Sequence, residues 1–153
     1  MEYRRAKMED IPRLVELRRL QLIDEGQFPL EDIDQELNQY FEAMLPDDTS
    51  LVVRLAEENG KIVATAGICF YQLPPSYLNP TGRIAHVINM YTLPDYRRRG
   101  IASHLLGLLI AEAGIQGYDS IRLRATKSSL AIYAKAGFRD MEGGMVLPLY
   151  VQS

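Results

Sequence analysis

Cysteine, histidine and tryptophan are scarce or absent in this chain. Cys69 is the only cysteine among 153 residues, there are two histidines, and there is no tryptophan. A single cysteine excludes an internal disulfide, and with two histidines it gives no recognisable zinc-ligand spacing. We therefore predict no metal site. Because Cys69 lies in the apolar segment ATAGICFY, we interpret it as a buried core thiol.

Long apolar runs and an excess of positive charge are also missing. No segment approaches the roughly 20 apolar residues that cross a bilayer, and the N-terminal segment MEYRRAKMEDIPRL has no apolar signal-peptide core. The 17 basic and 20 acidic side chains give a net charge of -3, which does not support general binding to nucleic acid or a membrane surface. We expect a cytoplasmic protein that binds neither.

The length and composition fit one globular domain. A chain of 153 residues can bury a substantial core without disulfides or metal. A hydrophobic fraction of 47% and a charged fraction of 24% are typical of globular proteins. We expect a single domain over residues 1–153. A homodimer is compatible with this composition, and the oligomeric state stays open.

Hydrophobic periodicity and turn residues predict the order of elements along the chain. These are a strand at 2–6, helices at 10–26 and 29–45, strands at 51–56 and 61–71 joined at Asn59-Gly60, a loop at 72–83, a central strand at 84–93, a helix at 100–116, a strand at 119–125, a helix at 130–136 and a terminal pair of strands at 138–151 bent at Gly143-Gly144. The strand, helix and strand between 84 and 125 form a β-α-β unit, whose two strands lie parallel.

The turn from Arg97 to Ser103 joins the central strand to an apolar helix. The first turn of a helix leaves backbone N–H groups without partners and carries the positive end of the helix dipole. Small residues at Gly100 and Ala102 allow a bulky ligand to approach the backbone, and three arginines add positive charge. The pattern predicts a phosphate site. The alternative is an ordinary strand-turn-helix connection with solvated arginines.

Two segments resemble the GNAT superfamily of N-acetyltransferases. Arg97-Arg98-Arg99-Gly100-Ile101-Ala102 is similar to the signature R/Q-x-x-G-x-G/A, with Ala102 where many members have a second glycine. LAIYAKAGF at 130–138 is similar to the late helix of the family and its ending Y-x-K-x-G-F. The resemblance covers residues 3 to about 150. It is absent as sequence detail at 24–50 and 72–83, where the family usually builds its acceptor site.

The resemblance implies a fold and an activity. The expected fold is α/β (α+β), with a GNAT-like mixed, mostly antiparallel central sheet of about six to seven strands, a splayed parallel pair at the central strand, and about four flanking helices. The expected activity is transfer of the acetyl group of acetyl-CoA, a cosubstrate, to a primary amine of a small molecule. The amine would attack directly in a ternary complex, and this chemistry does not require a metal.

The resemblance also implies where acetyl-CoA binds. The pyrophosphate would lie on the N–H groups of residues 98–103, with guanidinium groups as additional contacts. The pantetheine arm would lie along the splayed central strand, where the N–H of Met90 would polarise the thioester carbonyl. Thr126 stands where many members carry an asparagine that contacts this arm. The expected cofactor-binding residues are Met90, Tyr91, Thr92, Arg97, Arg98, Arg99, Gly100, Ile101, Ala102, Ser103, Thr126 and Tyr133.

The expected catalytic residues are Tyr133, His86 and Met90. Tyr133 matches the family tyrosine that acts as general acid toward the departing thiolate. His86 precedes Met90 by four residues at a position where some members carry a catalytic glutamate, and it would act as general base; a hydrogen-bonded structural histidine is the alternative. Strict alternation would place His86, Ile88, Met90 and Thr92 on one strand face. A bulge would break that pattern.

Two other functions remain compatible with the sequence. The chain could be a non-catalytic CoA or acyl-CoA-binding sensor or interaction module, or an acetyltransferase that acts on protein lysines or N-terminal amines. Acidic residues in the second predicted helix favour a cationic acceptor or belong only to a solvated face. The sequence leaves the acceptor, the acyl-chain preference and the identity of the general base open.

Overall fold

The described residues form one five-stranded sheet with the strand order β1-β2-β3-β4-β5. A computed structural model describes residues 1–141 and 143–149. The strands are β1 (Glu2–Arg5), β2 (Leu51–Glu58), β3 (Lys61–Gln72), β4 (Arg83–Thr92) and β5 (Ile121–Arg122). The pairs β1-β2, β2-β3 and β3-β4 are antiparallel and β4-β5 is parallel. The mixed, mostly antiparallel sheet with one parallel pair confirms the expected fold class.

Helices cover both faces of the sheet. They are α1 (Ile11–Asp24), α2 (Asp34–Met44), α3 (Ile101–Ile115) and α4 (Leu130–Lys135), with short 3-10 turns at Met8–Asp10 and Pro94–Tyr96. The prediction that the second helix begins near Pro29 is wrong. The carboxylate of Asp32 accepts the N–H of Asp34 at 2.9 Å, and this local bond favours a helix start at Asp34. No helix in the described part of the chain is long and apolar enough to cross a membrane.

Alternation along the strands divides the core into two layers. On one side, which we call the α3 face, Leu105 and Leu109 of α3 pack with side chains such as Val63 and Val87. On the other, the α1/α2 face, Leu14, Leu17 and Phe41 pack with Leu51, Val53 and Leu55. The sheet therefore lies between α3 on one face and α1 and α2 on the other.

Local turn signals in the sequence are reproduced. Asn59 and Gly60 both have positive φ, 52° and 78°, as the two central residues of a tight hairpin turn require. The loop predicted at 72–83 contains no helix or strand between Gln72 and Arg83. Cys69 differs from its prediction. Its side chain is only partly buried, on the α1/α2 face, and this desolvation raises the pKa of the thiol.

The C-terminal third has fewer strands than predicted. The strand expected at 119–125 is limited to Ile121 and Arg122, because only these two residues pair with β4 in the described chain. Within the described part of the predicted terminal pair, residues 138–141 and 143–149, no strand is present, and apolar side chains such as Val146 are exposed without a ladder partner. The described sheet therefore has five strands rather than six to seven. The rest of that prediction, at 142 and 150–151, lies outside the described residues.

A nearly buried ion pair joins the first strand to the start of α1. Arg4 donates to both carboxylate oxygens of Asp10, at 2.8 and 2.9 Å, and the N–H of Lys7 donates to the same carboxylate at 2.7 Å. The pKa of Asp10 is lowered, chiefly by the Arg4 hydrogen bond. A lowered pKa stabilises the fold above the unfolded-state pKa near 3.9, and that contribution is lost as pH falls through the folded-state value.

We expect Asp10→Asn to lower the free energy of unfolding at pH 7 by about 1 to 3 kcal/mol, because the partly buried Arg4 loses its bidentate carboxylate and keeps Glu57, at 2.9 Å, as its one charge partner among the described residues. Urea unfolding measures this change, and the difference between variant and wild type should shrink at acidic pH. Asp48→Asn is the control. Asp48 pairs with Arg5 but is 65% exposed, so its loss should cost less than about 1 kcal/mol. Equal effects of the two substitutions would contradict the assignment.

Candidate active site

β4 runs beyond the end of its parallel neighbour. Only two register pairs join β4 to β5, Ala85 with Ile121 and His86 with Arg122, whereas β4 continues to Thr92. Within the described residues, the segment 87–92 therefore has no strand on this side. An unpaired strand edge presents backbone N–H and C=O groups that an extended ligand can bind. The predicted residues Met90, Tyr91 and Thr92 all lie in this segment.

A bulge interrupts β4 in the same segment. Thr65 pairs with Tyr91 and Gly67 pairs with Ile88, so one residue of β3 faces two residues of β4, Asn89 and Met90. Asn89 has a positive φ of 55°, which asparagine tolerates better than most residues, and its side chain is buried. Bulges bend a strand and change the direction of the side chains that follow.

The bulge places His86 and Met90 on opposite faces of the sheet. Met90 packs with Val87 on the α3 face, whereas Tyr91 lies in the α1/α2 cluster. His86 is the register partner of Cys69, which packs on the α1/α2 face, and directly opposed residues share a face. Strict alternation from His86 to Met90 is therefore wrong.

Tyr133 is positioned by the ending of the short helix α4. Gly137 has a φ of 103°; its N–H donates to the carbonyl of Ala134 and the N–H of Phe138 donates to the carbonyl of Tyr133, both at 3.0 Å. These two bonds form a Schellman motif. The rings of Tyr133 and Phe138 pack edge to face at 5.8 Å. The spacing of tyrosine, glycine and phenylalanine in the sequence thus encodes a helix ending that fixes the tyrosine.

The Tyr133 side chain is buried in the same apolar cluster against which Met90 packs. Burial, and secondarily the negative charge of Glu25, raise the pKa of Tyr133 to about 12. Its hydroxyl forms no hydrogen bond with another described residue. The structure therefore places Tyr133 and Met90 in one apolar cluster on the α3 face, with the phenol protonated at neutral pH.

The turn before α3 has the geometry that the sequence predicts. Gly100 has a φ of 77° and no side-chain cap, and a Cβ atom built on it would meet no other atom within 4 Å. The first bond of the helix joins the N–H of His104 to the carbonyl of Gly100 at 3.0 Å. Within the described chain, the N–H groups of Ile101, Ala102 and Ser103 have no backbone acceptor. Three donors therefore point out of the helix end.

The three arginines of this turn have different surroundings. Arg97 donates to the carbonyl of Thr92 at 2.9 Å and to Asp24 at 3.3 Å. Arg99 stacks on Tyr96 and its Nη2 lies 3.4 Å from the carbonyl oxygen of Asp95. Arg98 has a positive φ of 63° and forms no hydrogen bond or ion pair with the described residues. Arg97 thus ties the turn to β4 and α1, while the side-chain donors of Arg98 have no acceptor among the described residues.

Thr126 lies at the start of α4. Its N–H donates to the hydroxyl of Ser129 at 2.9 Å, and the two hydroxyl oxygens are 2.9 Å apart. These bonds close the turn that begins the helix. The predicted contact of Thr126 with the pantetheine arm stays a prediction.

His86 has a positively charged environment on the α1/α2 face. The half-buried imidazole lies in register with Arg122, and the ring of Tyr71 is 6.4 Å away, measured between centroids. Desolvation, followed by the charges of Arg122 and Arg124, lowers the pKa of His86. The imidazole is therefore neutral at pH 7. In the described residues, no three His, Cys, Asp or Glu side chains are grouped as a metal ion would require.

Sequence reasoning missed a chain of polar side chains on α1. Arg18 Nη1 donates to Gln21 Oε1 at 3.2 Å, and Gln21 Nε2 donates to Glu25 Oε1 at 3.1 Å. Gln21 is 6% exposed, although it is polar. Its position continues the helical spacing of the buried Leu14 and Leu17, and a polar residue at an apolar position is the signal that could have revealed it.

These features match a known family. The model of the Acetyltransferase (GNAT) family matches residues 12–138, which is most of the chain. Together with the sheet that splays at β4 and the basic turn before α3, this match shows that the chain belongs to the GNAT acetyltransferase family. No curated protein matches the sequence.

Solved structures agree with the family assignment. A crystal structure of a predicted acetyltransferase with acetyl-CoA from Clostridium acetobutylicum has 45% identity and a TM-score of 0.92, over 97% of this chain and 96% of that chain. A GCN5-related N-acetyltransferase from Ralstonia eutropha JMP134 has 24% identity and a TM-score of 0.89, over 97% of each chain. Glucosamine-6-phosphate N-acetyltransferase from Arabidopsis thaliana has 18% identity and a TM-score of 0.73, over 97% and 98%. The latter two show the shared fold.

Proposed function

We propose that this protein, as a single domain over residues 1–153 and in the cytoplasm, transfers the acetyl group of acetyl-CoA to a primary amine of a small molecule. The amine attacks directly in a ternary complex. One observation carries the proposal: the unpaired edge of β4 leads to the N-terminus of α3, and Tyr133 is buried in the cluster against which Met90 of that edge packs. The 45%-identical relative that contains acetyl-CoA supports the choice of cosubstrate.

The described residues fit acetyl-CoA, whose thioester supplies the activated acetyl group. The N–H groups of Ile101, Ala102 and Ser103 bind the pyrophosphate, favoured by the positive end of the α3 dipole. The open space beside Gly100 admits the phosphates, and the exposed Arg98 adds a cationic contact. The unpaired edge of β4 hydrogen-bonds the amide groups of the pantetheine arm, much as a neighbouring strand would.

Two groups of the chain serve the transfer step itself. The N–H of Met90 donates to the thioester carbonyl oxygen and stabilises the negative charge that develops there. The hydroxyl of Tyr133 donates a proton to the sulfur as the carbon–sulfur bond breaks. Because its pKa is about 12, Tyr133 carries that proton throughout the neutral range.

His86 accepts the proton that the amine must lose, directly or through a water molecule. A base works only in its deprotonated form, and the lowered pKa of His86 keeps the imidazole neutral at pH 7. Its position on the α1/α2 face separates it from the Met90 side chain. The amine therefore approaches from the α1/α2 face.

We expect the kcat of the wild-type enzyme, measured against pH with saturating amine, to fall below a midpoint under 6.5, where His86 becomes protonated. His86→Ala should remove this acidic limb and lower kcat at pH 7 by about 10- to 100-fold. Arg122→Gln removes a positive charge beside His86. This substitution should raise the pKa of His86 and move the acidic limb to higher pH. An unaltered acidic limb in His86→Ala would exclude His86 as the base.

Two measurements with the same amine panel test the proposed function. Acetyl-CoA should raise the melting temperature, and thiol release from acetyl-CoA should depend on a small amine and yield its acetylated product. Stabilisation without turnover on a broad panel would instead support a non-catalytic CoA-binding module. Faster turnover of short peptides than of small amines would support a protein acetyltransferase. A lack of any stabilisation by acetyl-CoA would contradict the proposal.

A further inference from the structure

Arg18 is a partly buried cation without a carboxylate partner among the described residues. Its neighbours on the same helix have partners: Arg13 pairs with Glu16 at 3.0 Å and Arg19 with Asp34 at 3.2 Å. Arg18 forms one hydrogen bond in the described chain, from Nη1 to Gln21 at 3.2 Å. A guanidinium has five N–H donors, so most of those of Arg18 have no acceptor in this part of the protein.

The surroundings of Arg18 are partly desolvated. Desolvation lowers the pKa of its guanidinium, and the charge of Arg18 in turn acts on the pKa of the Tyr40 hydroxyl. Burying a charge is costly unless it is paired. A negatively charged group of a ligand would supply the missing partner in the bidentate geometry that arginine favours.

Arg18 lies on the side of the sheet from which the amine approaches. Tyr40 of α2 and Cys69 of β3 pack against the same apolar cluster, and Cys69 is the register partner of His86. Tyr40 and Cys69 thus connect α2 and the sheet to the strand position of the proposed base. Arg18 lies on α1, which packs on the same face, and its charge and that of the Tyr40 hydroxyl act on each other.

Further positive charge surrounds the same face. Arg122 lies in register with His86, and both Arg122 and Arg124 are close enough to act on its imidazole. The chain as a whole has a net charge of -3, so this concentration of arginines is local. The acidic residues of 31–36, which suggest a cationic amine substrate, do not neutralise these arginines, because Glu31 and Glu36 are exposed to solvent.

Glu25 is an acid whose charge acts on Arg18, and a hydrogen-bonded glutamine joins the two. Gln21 bridges Arg18 and Glu25 through its two amide atoms, and the charge of Glu25 acts on Tyr133. The polar chain thus runs from a guanidinium to a carboxylate on the Tyr133 side. A ligand with an ammonium group at one end and an anionic group at the other matches this order of charges.

We propose, on the basis of the acetyl transfer proposed above, that Arg18 binds an anionic group of the amine substrate, a carboxylate or a phosphate. It does so through the guanidinium N–H groups that are not bonded to Gln21. Gln21 is a positioning residue that holds the guanidinium toward the site. The acceptors are then amino acids or amine phosphates rather than neutral or polycationic amines.

Matched amines test this specificity. Amino acids are compared with their amides, and amino alcohols with their phosphate monoesters, so that only the anionic group differs within each pair. The wild type should prefer the anionic member in kcat/KM by roughly 10- to 100-fold. The pair with the larger ratio of kcat/KM values shows whether Arg18 prefers a carboxylate or a phosphate. Equal or better use of the neutral members would overturn the proposal while leaving acetyl transfer intact.

Substitution of Arg18 assigns the preference to one side chain. Arg18→Gln should raise KM for the anionic amines by roughly 10- to 100-fold, with kcat and the neutral amines little changed, and Arg18→Lys should restore part of the difference. Arg19→Gln is the matched control, because Arg19 is 49% exposed and already paired. Equal effects of Arg18→Gln on anionic and neutral amines would overturn the proposal.

Binding without turnover separates this proposal from acetyl transfer. The same amines are titrated calorimetrically into the wild type and Arg18→Gln in the presence of CoA, which carries no acetyl group. Tighter binding of the anionic members that is lost in Arg18→Gln supports the Arg18 site even if no amine is acetylated. Identical affinities in the two proteins would overturn it, whatever the turnover measurements give.

Discussion

Tyr133→Phe is expected to lower kcat by about 100-fold while the Kd for acetyl-CoA changes by less than about 2-fold. The substitution removes only the hydroxyl, which forms no hydrogen bond with the described residues. The ring keeps its place in the α3-face cluster and its edge contact with Phe138. The variant should therefore fold normally and bind the cosubstrate, but the departing thiolate would lack its proton donor. Steady-state kinetics and calorimetry measure the two quantities separately.

The Tyr133 prediction has a control on a partly buried tyrosine of the same cluster. Tyr118 stacks on Phe70 at 4.7 Å and lies under the guanidinium of Arg83, on the α3 face but away from the β4 edge. Tyr118→Phe should keep kcat near the wild-type value. A Tyr133→Phe enzyme with unchanged kcat would show that the phenol is only a packed aromatic.

Gly100→Glu is expected to weaken acetyl-CoA binding by about 100-fold or more. A side chain at a φ of 77° is strained, and the carboxylate would enter the proposed pyrophosphate site, next to the three N–H donors of α3. It would compete with the phosphates for these donors and repel their charge. Calorimetric titration of acetyl-CoA measures the loss, and melting in the absence of ligand checks that the fold is retained.

Two matched variants separate the causes of that loss. Gly100→Ala introduces the backbone strain with little bulk and no charge, and it should weaken binding by less than about 10-fold. Gly107→Glu introduces the same carboxylate in the same helix at an exposed position that leaves room for a side chain, and it should not change affinity. Unchanged affinity in Gly100→Glu would contradict the pyrophosphate site.

The parts of the fold that the sequence predicts well are those with local physical causes. Positive φ at Asn59 and Gly60 needs no distant partner, so the hairpin follows from the pair of residues. The ending of α4 likewise depends on Gly137 and Phe138, whose bonds all lie within one turn. The N-terminus of α3 is marked by Gly100 in the same way.

The parts that escaped prediction depend on distant contacts. The bulge at Asn89 arises from the match between β3 and β4, and it reverses the faces of the residues that follow. The length of β5 depends on where β4 diverges from it, which no residue of 119–125 encodes. The polar chain from Arg18 to Glu25 lies on an otherwise amphipathic helix, where arginines usually belong to the solvated face. Strand register and tertiary contacts, rather than local conformational propensity, determine the bulge, the length of β5 and the polar chain.

The residues assigned to acetyl-CoA and those assigned to the amine lie on opposite faces of β4. Met90 and Tyr133 belong to the α3 face and His86 to the α1/α2 face, on which the helix that carries Arg18 packs. In the mechanism that we propose, the thioester lies at the edge of β4 beyond β5 and is held from the α3 face, while the amine is bound and deprotonated on the α1/α2 face.

Initial-rate kinetics with both substrates varied test the central claim, direct acetyl transfer in a ternary complex, most directly. Acetyl-CoA and an accepted amine are varied against each other, and the product is identified by mass spectrometry. We predict intersecting double-reciprocal lines and one acetylated amine for each thiol released. Parallel lines, which indicate an acetylated enzyme intermediate, or thiol release without an acetylated amine would contradict the account.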